Sequence, residues 1–160
     1  MKRTIAPATL VIVLATVFVL GILPRAQASE PGEHRGCSNA SLRGSFGFSA
    51  IGTLLGLPPP FAGPFGEIGR QSFDGRGNTA GTATLSANGN IVSGVTVEGT
   101  YQVNPDCTGS MTIFILPFAS TASLDFVIDD DGRELRAIAT EAGAVETRVY
   151  RKQFPRGRKE

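Results

Sequence analysis

The sequence predicts an all-β fold, an eight-stranded antiparallel up-and-down barrel, and three observations carry that expectation. Turn signals recur at short intervals beyond Gly36, the segments between them alternate apolar and polar residues with a period of two, and none sustains the i, i+3, i+4, i+7 spacing of an amphipathic helix. Twenty glycines and no tryptophan in 160 residues fit a turn-rich fold with a modest interior.

The first segment lies outside that fold. Lys2 and Arg3 precede the fourteen-residue apolar run "LVIVLATVFVLGIL", Leu10 to Leu23, and "PRAQA" then offers small residues, Ala26 and Ala28, where a signal peptidase reads. This is a secretory signal peptide over 1–28. A membrane anchor is the competing reading, but the run falls short of the ~20 residues of a spanning helix and ends at Pro24. The mature chain is thus expected to be secreted or periplasmic, with no stable membrane span. Residues 29–36, "SEPGEHRG", read as a disordered leader, residues 37–153 as the barrel, and 154–160 as a disordered basic tail.

Cleavage removes three of the fifteen basic residues and leaves twelve against fourteen acidic ones, a net charge of −2. Nothing in that balance calls for nucleic acid or another polyanion. Six of the twelve lie in "RVYRKQFPRGRKE", which reads as a solvated extension.

Eight strands follow in order. "RGSFGFSA" puts Phe46, Phe48 and Ala50 on one face with Leu42 and Gly44. "GEIGRQSF" and "TAGTATLS" alternate too weakly to assign their faces. In "IVSGVTVEGTYQV", Ile91, Val95, Val97, Tyr101 and Val103 are expected inward, opposite Thr96, Glu98, Thr100 and Gln102. "SMTIFI" and "RELRAIA" are again ambiguous, whereas "SLDFVID" turns Leu124, Phe126 and Ile128 inward. For "VETRVYR" the same rule puts Val145 and Val149 inside and Glu146 and Arg148 outside. The connections are "LLGLPPPFAGPF", "DGRGN", "NGN", "NPDCTG", "LPFAS", "DDDG" and "EAGA", rich in the residues that tolerate positive φ or bond their own backbone. A two-sheet sandwich satisfies the same hairpin pattern, because turn signals do not report closure.

In a meander, successive connections fall at opposite ends. Cys37 then shares one end, the base, with "DGRGN", "NPDCTG" and "DDDG", so Cys37 and Cys107 meet there, and export exposes both to oxidant. A disulfide is expected; a metal-binding thiol pair lacks further ligands, since the single histidine, His34, sits in the leader. The other end gathers the apolar loop residues Leu57, Phe61, Phe65 and Phe118. Either the long loop plugs the barrel or it forms the entrance for a small apolar ligand, and these four residues are the candidate contacts.

No catalytic triad, metal site or cofactor is implied. "DDDGRE" lacks the twelve-position spacing of a calcium loop, and the "GRGN" of the second connection links strands and opens no helix.

The runs "CSNASLRGSFGF", "FDGRGN" and "GTYQVNPDCTGSMTI" together resemble a group of small exported bacterial proteins, mostly uncharacterised, that pair such an amino-terminal motif with a later Asn-Pro-Asp-Cys-Thr-Gly. The resemblance covers most of the mature chain and implies export and structural motifs, with no activity attached. In plan the barrel is similar to lipocalins, avidins and the allene oxide cyclase barrel. The biotin pocket of avidins depends on tryptophans that this chain lacks, and Phe46 stands where lipocalins place one. A cyclase would need polar groups inside the barrel, for which Tyr101 and Glu67 are the first candidates. Three functions therefore stand: a non-catalytic exported barrel binding a small apolar molecule, a filled structural or surface-interaction domain, and an allene-oxide-cyclase-like enzyme that holds a reactive lipid in a shaped pocket.

Amino-terminal sequencing of exported material is expected to read from Ser29; a chain that still begins at Met1 would overturn the signal-peptide assignment.

Overall fold

The computed structural model describes residues 36–153. The signal peptide, the leader up to residue 35 and the basic tail lie outside the described residues. Eight strands run in chain order: β1 (Arg43–Leu54), β2 (Gly63–Asp74), β3 (Asn78–Ala87), β4 (Asn90–Val103), β5 (Thr108–Leu116), β6 (Ser120–Asp129), β7 (Glu134–Ala139) and β8 (Ala144–Lys152). Each pairs antiparallel with its neighbours in sequence, and β1 also pairs with β8, so the sheet closes on itself. Closure removes both edges and rules out the sandwich.

The inward faces of β1, β6 and the second half of β4 are those the alternation predicts. Leu42, Phe46, Phe48, Val95, Val97, Tyr101, Leu124 and Phe126 are all buried. Two expectations fail. Ile91 is 65 % exposed, because Gly94, at φ +71°, is an extra residue opposite the Ala83/Thr84 step of β3. That bulge inverts the pleat, so that Val92, not Ile91, packs against the core.

The larger correction concerns β8. Val145 is 64 % exposed and Val149 also faces outward, while Glu146, Arg148 and Tyr150 are buried. Directly paired residues share a face of the sheet, and the register sets Tyr150 opposite Phe48 and Arg148 opposite Ala50. Both β1 residues point inward, so their partners must. Alternation of apolar and polar types cannot detect an inward row whose charges compensate one another.

The base is closed by the segment ahead of β1. A 3-10 turn, Asn39–Ser41, crosses this end and delivers fully buried Leu42 to the interior. The Tyr101 hydroxyl accepts from Gly75 N (2.9 Å) and lies 3.1 Å from the carbonyl oxygens of both Asn39 and Leu42, which share its single proton. Val103 N donates to Asn39 Oδ1 at 2.8 Å, and Cys37 N to Pro105 O at 3.0 Å. Cys37 and Cys107 are joined in a disulfide with Cα atoms 4.9 Å apart. Cys107 occupies the left-handed region, φ +67°, in a turn where Asp106 accepts from Thr108 N and Thr108 Oγ1. In the β2–β3 turn Asp74 accepts from Arg76 N, Asn78 N and Asn78 Nδ2, and these bonds lower its pKa to about 2. The motifs "CSNASL", "FDGRGN" and "NPDCTG" thus all act at the base, and all act structurally.

Above it, the lower half of the barrel is filled by aromatic rings. Phe73 meets Phe46, Tyr101 and Tyr150 edge-on at centroid distances of 5.3, 5.2 and 6.0 Å, and Tyr150 lies 5.2 Å from Phe48. The inward position at Gly99 leaves no empty space, since a Cβ there would collide with the Thr112 carbonyl. This half is solid.

The disulfide closes a loop across a sequence separation of 70, which on the chain-entropy account contributes about 4 kcal/mol. Cys37→Ser is expected to lower the melting temperature clearly while the far-ultraviolet spectrum stays that of a β-barrel; an unchanged melting temperature would show that the bridge adds nothing.

Candidate ligand-binding cavity

The upper half differs because the inward rows of β8, β1 and β2 alternate large and small residues. Ala50 pairs with Arg148 on one side and with Glu67 on the other. Its methyl leaves room for the Arg148 side chain to cross β1, and Arg148 Nη2 reaches Glu67 Oε2 at 3.1 Å. Its Nε donates to Glu146 Oε1. One row down, the Phe48 ring lies 5.4 Å from the Arg148 guanidinium. The three charged side chains are 3 to 6 % exposed.

This cluster is two carboxylates against one guanidinium. Burial raises the Glu67 pKa above the ordinary carboxylate value; Arg148 opposes the shift and Glu146 adds to it. Burial also disfavours the charge on Arg148, but its pKa is nonetheless raised, with Glu67 and Glu146 as the carboxylates that favour the charged form. The Tyr150 phenol is held neutral by full burial. Arg148 Nη1 and the Tyr150 hydroxyl are buried without a hydrogen-bond partner among the described residues.

Over the cluster opens a cavity of about 320 Å³. Its floor carries Glu67, Glu146 and Arg148, its walls include Leu85, Val95, Ile115 and Ala122, and its mouth is formed by Leu54, Leu57, Phe61 and Phe118. Glu141, from the β7–β8 turn, lines it as well and accepts from Ser123 N at 2.9 Å.

The β1–β2 loop covers this mouth and is strapped on two sides. Leu55 N and Gly56 N donate to Gly143 O at 2.8 and 2.9 Å, and Asn88 Nδ2 and Asn90 Nδ2 donate to Pro60 O at 3.0 and 3.2 Å. Toward the β5–β6 turn no hydrogen bond among the described residues holds it. There the contact is apolar, Phe61 edge-on to Phe118 with centroids 6.4 Å apart.

Of the four residues that sequence reasoning nominated as ligand contacts, Leu57, Phe61 and Phe118 line the cavity. Phe65 is placed elsewhere: it is buried with Ala50 and Ala87 in a separate small cluster, against which Phe61 and Leu54 pack. Glu67 lines the cavity, whereas Tyr101 is engaged at the opposite end, so the two polar groups nominated for a cyclase do not share a site. Glu146 and Arg148 were missed through the inverted facing of β8. The parity of Phe65 and Phe73 in β2 was the available signal for Glu67, since residues of the same parity face the same way.

No family model matches the sequence, and no curated protein is similar to it. Among solved structures, a redesigned β-barrel aligns over 72 % of this chain and 95 % of its own, at 12 % identity and a TM-score of 0.52. A second redesigned β-barrel, bound to DFHBI, aligns over 71 % and 97 %, at 13 % identity and a TM-score of 0.49. The first likeness shows the β-barrel fold and nothing further.

Removing the guanidinium alone strands two buried carboxylates, so Arg148→Met is expected to cost about 3–5 kcal/mol in urea unfolding. Replacing all three together, Glu67→Leu, Glu146→Leu and Arg148→Met, should recover most of that loss, because the desolvation cost vanishes with the charges. A triple variant no more stable than the single one would show that the cluster is a net stabiliser of the fold.

Proposed function

We propose that this protein is an exported, non-catalytic barrel that takes up a small, largely apolar molecule through the end bearing Leu57, Phe61 and Phe118. The observation that carries the reading is the cavity itself. A filled structural barrel has no need of about 320 Å³ of space beneath a loop, and small-molecule sites are commonly concave, mostly apolar and fitted with a few polar groups at fixed positions. The Cys37–Cys107 disulfide supports an oxidising compartment, as the signal peptide requires.

The entrance follows from the way the loop is held. Two of its flanks are bonded through backbone or asparagine groups, and the third rests on the Phe61–Phe118 contact. Parting two rings breaks no hydrogen bond, so this flank is the one that opens at least cost. The resemblance to exported bacterial proteins with the same base motifs supports a shared scaffold, with specificity set at the other end.

Native mass spectrometry of the protein purified from its own host is expected to show a co-purifying mass of small-molecule size. Phe61→Ala combined with Phe118→Ala should weaken retention of that molecule by about tenfold or more. Wild-type protein that carries no such mass, and takes up none when offered apolar dyes, would favour the filled structural domain.

A further inference from the structure

The cavity's chemistry is more specific than its apolar walls suggest. Three carboxylates line it, those of Glu67, Glu141 and Glu146, and a single cation, Arg148. With every group ionised the lining carries a formal charge of −2. Glu67 and Glu146 are both more than nine-tenths buried, where an uncompensated charge is expensive. Arg148 is shared between them and already commits Nη2 to one and Nε to the other. Each carboxylate offers about four acceptor sites, so both keep capacity beyond what Arg148 uses. Arg148 Nη1, in the same lining residue, has no partner among the described residues, so the polar floor is incomplete; being a donor, it calls for an acceptor and does not itself favour a cation. At the mouth stand two aromatic rings, Phe61 and Phe118, whose faces attract organic cations.

We propose, building on the reading that the cavity is a binding site, that its occupant is a small organic cation, an alkylammonium on an apolar body, with the ammonium held by Glu67 and Glu146 on the floor and attracted at longer range by Glu141 in the same lining. A carboxylate ligand such as a fatty acid is disfavoured, because it adds a second uncompensated negative charge to a desolvated floor. An apolar molecule without a head group fills the walls and leaves the floor unchanged. An ammonium supplies donors where acceptors are free and brings the lining toward neutrality.

The proposal makes binding pH-dependent with a definite sign. Glu67 faces Arg148, Glu146 and Tyr150 of β8; its paired neighbours on β1 and β3 are Ala50 and Leu85, and Glu141 enters from the β7–β8 turn. Burial raises the Glu67 pKa, so this carboxyl takes its proton earlier on acidification than an exposed one. Protonation removes a negative charge from the ammonium site. Affinity for a cation therefore falls as pH drops through the range where Glu67 titrates, while an alkylammonium stays charged throughout.

Three probes with one body test this: 2-(aminomethyl)naphthalene, 2-methylnaphthalene and 2-naphthoate, followed by naphthalene fluorescence, which a chain without tryptophan leaves unobscured. At pH 8 the ammonium probe is expected to bind at least about tenfold more tightly than either of the others, the increment of a charge-assisted hydrogen bond. The advantage should shrink on acidification. Glu67→Gln should remove most of it and its pH dependence, with 2-methylnaphthalene binding unchanged as the control for an intact cavity. Should Glu67→Gln fail to fold, Glu141→Gln at the exposed mouth replaces it, with a loss of about threefold expected for the ammonium probe alone. Naphthoate or 2-methylnaphthalene binding as tightly as the ammonium overturns the proposal and leaves the cavity reading standing. So does an ammonium advantage that survives substitution of the carboxylate. Failure of all three probes to bind overturns both.

Discussion

The pairing of β1 with β8 is the constraint on which the rest of the structure depends. It closes the sheet, and through the pleat it commits Glu146, Arg148 and Tyr150 to the interior because Phe48 and Ala50 already face there. A shift by one residue would exchange that row for Val145, Thr147 and Val149, which would read as a better core by composition. It would also turn Tyr150 out of its contacts with Phe48 and Phe73, and deprive Glu67, fixed on β2, of its cation. The aromatic contacts below and the ion pair above therefore enforce one register together.

Closure also divides the barrel by length. At the base the leading segment is tied at several points: the disulfide, the Asn39 bond to β4 and the Tyr101 hydroxyl converge on residues 37–42. Immediately above, five aromatic rings, Phe46, Phe48, Phe73, Tyr101 and Tyr150, pack across the interior. A small barrel whose interior is filled by side chains gains packing and loses space, and this one does so over half its height. At the other half the small inward residues Ala87 and Ala122 are among those that line the cavity. Stability is thus concentrated at one end, where the specific sequence motifs lie. The other end is left with loops and a buried charge cluster, which a purely stabilising design would replace with apolar residues.

Fold and end-to-end polarity were legible in the sequence because both rest on local signals. Turn residues mark the connections, and counting connections places Cys37 with Cys107 and Phe61 with Phe118, with no knowledge of contacts required. The failures have a common cause. Alternation assigns a face by comparing the polarity of two rows, and it errs where tertiary pairing outweighs that comparison. Gly94 shifts the count by one within β4, so Ile91 lands outside; the bulge is visible only once the register with β3 is known. In β8 the polar row lies inside because Arg148 meets Glu67, which lies 81 residues earlier in the chain, counted from Glu67 to Arg148. No local window contains both partners.

That non-local pairing is also why the cavity's chemistry was read as apolar from the loops alone. Loop composition reports the mouth, where Leu57, Phe61 and Phe118 lie, but the floor is set by strand positions whose side chains cross β1 over a single small residue. Ala50 is the hinge of this arrangement. A larger residue there would fill the path by which Arg148 reaches Glu67 and separate the charges on the cavity floor. The smallest buried side chain in the row therefore couples the packing of the barrel to the electrostatics of the cavity floor, where Arg148 and Glu67 meet across it.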